Sequence, residues 1–580
     1  MKFLLVAINA KYIHSNPAVY SLCKYATQQV PELEETIEIA EYTINNSMDS
    51  ILSDLYKLRP DVIGISCYIW NWNMVKDIVR EIKKLLPDII IWLGGPEVTY
   101  NPENVFSEVP DADGIMIGEG EGTFLDIMKM YSGIDAGPIN AIRGICYRKG
   151  GKILRTEPRE QLNLTELPFL YNNPEDFNNR IIYYESSRGC PFRCSYCLSS
   201  IDKTVRLRDT EVVKRELQHF LDNKVTQVKF VDRTFNCNHN HAMEIWKYIS
   251  EHDNGITNFH FEIEADLLTD EEIELLNILR PGAVQMEIGV QSTNDATLKE
   301  IRRYAGVDKI RESVAKLQRG QNIHIHLDLI AGLPYETLDI FKKSFNDVFA
   351  MKPEQLQLGF LKVLKGSHMY DMAKEYGLVY KSLPPYEVLY TKWLSYEDVI
   401  ILKKVEEMVE IYYNSNQYRH VLPVLLSKFP DAFTMFYELA KFYDRKGYCI
   451  NTPSRSGKYE ALLDFADEVC MGEHDIFTEL MTFDLYAREK MKSRSGFMND
   501  ITKQYKVIRT FFEDEENIVK YLPDYARYHS KQIMKMTHAE IFHYSVWDEQ
   551  VREVEPTLVV FDYKIRNPLT GEIKFFLISL

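Results

Sequence analysis

Short apolar runs alternate with helix-length segments through the first 135 residues, and no other feature constrains the fold as much. Phe3–Ile8, Val62–Ser66 and Ile89–Leu93 are apolar almost throughout. Strands covered on both faces read this way, because neither side meets water. Thr36–Tyr42 and Gly114–Ile117 are further strand candidates, and Asn73–Leu86 is a helix-length spacer. The pattern predicts a doubly wound parallel α/β domain over residues 1–135. Ligands of such sheets sit beyond the carboxyl ends of the strands. Ser66, Gly94-Gly95-Pro96 and Gly118-Glu119-Gly120-Glu121-Gly122 stand at those ends. Glycine admits a ligand close to the backbone, but tight turns also need it, so both readings stand.

Residues 136–180 read as a linker, with a small hairpin around Lys149-Gly150-Gly151-Lys152 and a Pro/Asn-rich stretch near Pro168–Pro174. A second strand–helix series starts at Ile181–Ser186. It continues through Gln227–Val231, Asn258–Glu264, Gln285–Gly289, His324–Ile330 and Gln355–Phe360. Six such units without a reversal predict a partial (β/α)6 TIM-type barrel over residues 181–375. Loops at the carboxyl ends of its strands would carry the site. Tyrosines and charged residues then mix at helical spacing, so residues 376–580 read as a mostly helical domain. Its last apolar runs, Thr557–Phe561 and Ile573–Leu577, flank Asn567-Pro568-Leu569-Thr570-Gly571, which predicts a terminal β-hairpin.

The chemistry concentrates on Arg188-Gly189-Cys190-Pro191-Phe192-Arg193-Cys194-Ser195-Tyr196-Cys197. The spacing is C-x3-C-x2-C, and no fourth cysteine follows nearby. Thiolates hold iron–sulfur clusters, and a fully protein-bound [4Fe–4S] cluster takes four of them. Three leave one iron open to an outside ligand, and open metal positions are where chemistry is done. Zinc is the alternative, with His239 and His241 downstream as the nearest further ligands. A disulfide framework fits poorly in a chain of this length without a secretory pattern. The opening apolar run stops at Asn9 and reads as a buried first strand.

This spacing, with an aromatic just before the last cysteine, resembles the radical S-adenosylmethionine (SAM) enzymes, and the resemblance spans roughly residues 181–370. It implies that Cys190, Cys194 and Cys197 hold a [4Fe–4S] cluster whose open iron is chelated by SAM. It also implies reductive cleavage of SAM to a 5′-deoxyadenosyl radical. Tyr196 would pack on the adenine. The segment Phe230–Asn236, with Asp232, would hold the SAM amino group, although Arg233 replaces the family's second acidic residue. Glu262, Glu264 and Asp266 alternate and so share one strand face. Three carboxylates inside a barrel are costly unless they bind something. In a related subgroup a glutamate here approaches the ribose and sulfonium, a role that falls to Glu262 ahead of Glu264. Glu287-Ile288-Gly289-Val290-Gln291-Ser292 resembles the family's fourth strand. The resemblance assigns ribose and methionine-carboxylate contacts to Gln291 and Arg303, with Arg302 as a neighbouring substitute. An arginine fork suits a carboxylate. Asp328–Pro334 resembles the fifth-strand ending, where Gly332 would leave room for adenine.

A doubly wound domain directly before such a barrel resembles the cobalamin-binding radical SAM class, in which cobalamin lies between the two domains. Ser66, Gly94, Gly95, Gly118 and Glu119 are then its candidate contacts. The D-x-H-x-x-G motif that supplies a histidine to cobalt elsewhere is absent, and His14 reads as a surface residue. The class carries out methylation, which we favour, but also cyclisation, ring contraction and oxidation. A radical SAM enzyme without cobalamin, methylthiotransferase-like, is the first alternative. A non-enzymatic iron–sulfur carrier is the second; it leaves Gln291, Arg303 and Gly332 unexplained. The resemblance implies an electron donor such as flavodoxin or ferredoxin. The substrate stays open among a small molecule, a peptide and an RNA. A net charge of −17 disfavours broad nucleic-acid binding without excluding a local basic groove. No run of about 18 apolar residues occurs, so we expect no membrane span and a cytoplasmic location.

Overall fold

The computed structural model describes residues 1–134 and 137–580. The expected junction between residues 135 and 136 lies outside the described residues. The first sheet has strands Phe3–Asn9, Ile37–Thr43, Val62–Ser66, Ile90–Gly94 and Gly114–Met116, all parallel. Their spatial order is second, first, third, fourth, fifth, so the sheet is doubly wound. Its two faces carry separate cores, one around Ile51, Trp72 and Phe106, the other around Val19, Trp92 and Phe124. Burial on both faces is why these strands read as unbroken apolar runs. The hairpin expected inside the 136–180 segment forms at Ile145–Lys149 and Lys152–Arg155. It is no independent linker element, because it extends the first sheet antiparallel to Gly114–Met116.

The second sheet has six parallel strands in sequence order. They are Ile182–Tyr184, Gln227–Phe230, Asn258–Ile263, Val284–Gln291, Ile323–Ala331 and Gln355–Phe360. Along the fourth strand burial alternates strictly, with Val284, Met286, Ile288 and Val290 packed outward against helices. Gln285, Glu287, Gly289 and Gln291 therefore face the interior of the curled sheet. Helices start where the sequence supplies caps. Asp209 accepts from the Glu211 and Val212 amides, and Thr269 forms a reciprocal capping box with Glu272.

The C-terminal region is mostly helical and is built onto the barrel. One core runs from the barrel helices into it, with Phe345 against Phe433 and Phe349 against Phe436. The chain ends in an antiparallel sheet of three strands, Thr537–Tyr544, Glu553–Arg566 and Ile573–Ser579. The expected hairpin is its last two strands; Thr537–Tyr544 was not anticipated. Among the described residues no helix is long and apolar enough to cross a membrane.

Candidate active site

The three cysteines sit on the loop that leaves the first barrel strand. Gly189 at its start has φ +95°, and a Cβ there would fall 2.2 Å from the Thr204 carbonyl oxygen, so only glycine fits. Cys190, Cys194 and Cys197 are free thiols. Burial pushes the Cys190 and Cys194 thiols up, opposed by Thr234 at the first and Arg303 at the second. The Cys190 Sγ lies 3.6 Å from the Thr234 hydroxyl, and Arg303 Nη1 points at Cys194 Sγ from 3.8 Å. The zinc alternative loses its extra ligands. His239 faces Glu272, and His241 is buried against the Ser186 hydroxyl at 3.1 Å.

Arg303 is the centre of the site. Its Nη2 donates to both oxygens of Glu264, at 2.6 and 2.8 Å, and to the Gly289 carbonyl. Its side chain is only 10% exposed. Gln291, with φ +68°, folds its amide over Gly289, and its Oε1 is buried without a partner. Burial pushes the Glu264 carboxyl up to about 7, and Arg303 opposes this. Glu264, not Glu262, is therefore the carboxylate beside Cys194 and Arg303. Glu262 is level with Glu287 on the next strand, one side-chain layer deeper. Arg302 turns away and meets His368 at the surface.

Other expected contacts find different partners. Asp232 is fully buried, and its carboxylate accepts from the Ser186 amide and the Ser186 and Ser187 hydroxyls. It braces the entrance of the cysteine loop, so its side chain is not available to SAM. Burial pushes that carboxyl up to about 6. The space beside Gly332 (φ +89°) is taken by Val388, whose Cγ1 would lie 2.7 Å from an added Cβ. Tyr196 packs against the apolar group of Leu298, Ile301 and Leu333.

The carboxyl ends of the first sheet face the barrel mouth. Between them lies a cavity of about 500 Å³. Ser66, Gly94, Gly95, Gly118 and Glu119 line it from the first domain, and Glu185, Arg188 and Val231 from the barrel. A Cβ on Gly118 (φ +79°) would meet nothing within 4 Å, so the cavity comes up to its backbone. Gly95 is different, since a Cβ there would strike the Cys67 carbonyl at 2.6 Å. Its lack of a side chain serves the turn, not the cavity. The Ser66 hydroxyl is engaged by Asn16 and the Val6 carbonyl. Glu119 pairs with Arg206 and accepts from the Leu162 amide, while Glu121 pairs with Arg188 at 2.6 Å. These carboxylates join the domains, a role that glycine-rich spacing could not reveal. His14 is also at this junction, 2.6 Å from the Tyr183 hydroxyl, rather than a free surface residue.

Three family models match the chain in series. They are the B12 binding domain at residues 4–128, the radical SAM superfamily at 184–348 and a protein of unknown function, DUF4080, at 374–561. The cobalamin-dependent radical SAM methyltransferase TokK of Streptomyces tokunonensis is 25% identical over 351 residues, covering 55% of this chain and 50% of that protein. The anaerobic magnesium-protoporphyrin IX monomethyl ester cyclase of Rubrivivax gelatinosus is 24% identical over 330 residues, covering 54% and 58%. This chain spans about half the length of the curated relatives it matches. The structure of the cobalamin-dependent SAM radical enzyme OxsB superposes with a TM-score of 0.57 at 17% identity, covering 83% of this chain and 78% of that one. That likeness shows a shared fold. The chain is a B12-binding-domain radical SAM protein with a DUF4080 domain at its C-terminal side.

Proposed function

We propose that this protein is a cobalamin-dependent radical SAM enzyme that modifies an unactivated carbon, with methylation favoured. One observation carries the reading. The three free thiols and the Arg303–Glu264 pair meet at the barrel mouth, and the cavity beneath Gly118 opens onto the same mouth. When bound, a [4Fe–4S] cluster would supply the electron that cleaves SAM, and cobalamin would carry the methyl group. The donor set fits a cluster, since three thiols on one glycine-pinned loop offer no fourth protein ligand. Gly118 fits cobalamin, since its backbone borders the cavity with no side chain in the way.

In this reading Cys190, Cys194 and Cys197 are the cluster ligands. Arg303 presents its fork to the methionine carboxylate, and Glu264 balances the guanidinium and faces the ammonium of the same amino acid. Gln291 offers its orphaned amide oxygen to a ribose hydroxyl. Tyr196 lies beside the adenine. Gly94, Gly118 and Ser66 shape the cobalamin cavity, Gly95 makes the turn at its edge, and Asp232, Glu119 and Arg188 hold the loop and domains in register. No histidine lies on the first domain's side except His14, which the Tyr183 hydroxyl holds, so cobalt would be held without a protein imidazole. The substrate class is a small molecule, a peptide or an RNA. The reaction needs a low-potential electron donor such as flavodoxin or ferredoxin, which places the protein in the cytoplasm.

The test is anaerobic reconstitution with iron and sulfide, followed by cobalamin titration and a SAM-cleavage assay with a chemical reductant. We expect 5′-deoxyadenosine and one cobalamin per chain. A cluster-loaded protein that cleaves SAM but takes up no cobalamin refutes the cobalamin reading. One that holds its cluster and cleaves no SAM refutes the enzyme reading.

A further inference from the structure

Below the Arg303 layer the barrel interior holds an unusual row of ionisable groups. Glu262, Glu287 and His326 are level with one another on the third, fourth and fifth strands. Asp328 stands two residues beyond His326 on the same face, level with Gly289. Ligand atoms of Glu287, His326 and Asp328 all lie within 4.8 Å of one another. Lys229 and His260 both reach Glu287, at 3.2 and 3.0 Å, through the same oxygen, Oε2.

His326 and Asp328 meet only each other, with no hydrogen-bond partner outside the group. The His326 side chain is 7% exposed, yet its Nε2 makes no hydrogen bond, and neither does Asp328 Oδ1. The two atoms are 2.9 Å apart, an ion-pair distance, but too poorly aligned for a hydrogen bond. A buried imidazole nitrogen without a well-aligned hydrogen bond is costly. Ligand atoms around a tetrahedral ion with bonds of about 2.1 Å sit about 3.4 Å apart. The His326–Asp328 pair is already close to that spacing, and Glu287 can close through its own torsions.

We propose that Glu287, His326 and Asp328 form a binding site for a divalent transition-metal ion at the floor of the barrel, separate from the cysteine cluster. One imidazole with two carboxylates suits zinc, manganese or iron(II) better than magnesium or calcium, which prefer oxygen alone. Three protein ligands leave positions open toward the lumen. There the ion would take an oxygen or nitrogen of the substrate and fix it beneath the SAM site. Lys229 and His260 hold Glu287 from behind, as outer groups commonly orient metal ligands. The site does not rest on the proposed reaction, because metal binding is read without SAM or turnover.

The experiment uses full-length, cluster-loaded protein stripped of loosely held metal and titrated with MnCl2, with free Mn2+ followed by electron paramagnetic resonance. ZnCl2 competition measured by elemental analysis is the second arm. We expect one Mn2+ per chain, displaced by one Zn2+, and at least tenfold weaker binding in His326→Gln and in Asp328→Asn. The 4Fe–4S absorbance of both variants should stay unchanged. The proposal is overturned if the parent protein retains no Mn2+ or Zn2+ beyond its cluster iron. It is equally overturned if His326→Gln and Asp328→Asn bind these ions like the parent. Should either variant fold poorly, the parent titration alone decides.

Discussion

Replacing Arg303 by Ala tests the centre of the proposed site. The guanidinium is nearly excluded from water and is held by two Glu264 oxygens and the Gly289 carbonyl. A carboxylate bound there is desolvated, so losing its charged partner costs at the strong end, about 2–4 kcal/mol. At about 1.4 kcal/mol per tenfold, SAM affinity should fall roughly 30- to 1000-fold. The fold should suffer less than the ~3–5 kcal/mol of a broken buried pair. Glu264 can shed its charge by taking up a proton, since its carboxyl already stands at about 7 beside Arg303. Anaerobic calorimetry of SAM binding to cluster-loaded protein reads the affinity, and iron analysis checks the cluster. The double variant Arg303→Ala/Glu264→Gln should recover thermal stability without recovering SAM affinity. Arg303→Lys should fall between, because it keeps charge but loses the fork. SAM affinity within threefold of the parent, at unchanged iron, would refute the role given to Arg303.

Three further outcomes are expected. Alanine at Cys190, Cys194 or Cys197 removes one of the three thiolates that the loop supplies. Bound iron should drop sharply and SAM cleavage should vanish, and a triple variant that still cleaves SAM would overturn the cluster assignment. Gly118→Leu puts a side chain into the inter-domain cavity and should abolish cobalamin uptake at unchanged iron content, with some loss of thermal stability because its backbone is left-handed (φ +79°), whereas Gly95→Val should lose more, because its Cβ also strikes the Cys67 carbonyl. Glu336 is buried with only the Ser292 and Ser344 hydroxyls for partners, and burial pushes its carboxyl up to about 8. An acid with a raised folded-state value favours the protonated fold, so stability falls as pH rises from about 4.5 toward 8 and levels off above. Glu336→Gln should flatten that slope, gaining about 2–4 kcal/mol at pH 8 relative to pH 5. Hydrogen exchange of the fourth and fifth barrel strands reads this locally, and parallel slopes in both proteins would count against it.

Much of the architecture was legible because it depends on local pattern. The parallel strands announce themselves as apolar runs, since both faces of each sheet are covered. The barrel's sixth strand, Gln355–Phe360, lies where alternation places it. The cysteine spacing identified the loop because three thiols within eight residues can act together whatever the rest of the chain does. Pairing across distant segments left no such trace. Thr537–Tyr544 joins the final sheet by register with Glu553–Arg566, which its own sequence does not advertise.

The sequence by itself determined the order of domains, the strand ends on which ligands would gather, and the residue types available there. Only the tertiary structure decided which of those residues face one another. Glu262 and Glu264 look equivalent as alternating carboxylates, but strand register sets one beside Glu287 and the other against Arg303. Asp232 and Gly332 carry family-like signatures, yet the loop hydroxyls occupy the first and Val388 fills the space beside the second. The physical reason is that a side chain's role follows from its nearest partners in space. Those partners, Arg206 for Glu119 or Arg188 for Glu121, lie tens of residues away along the chain.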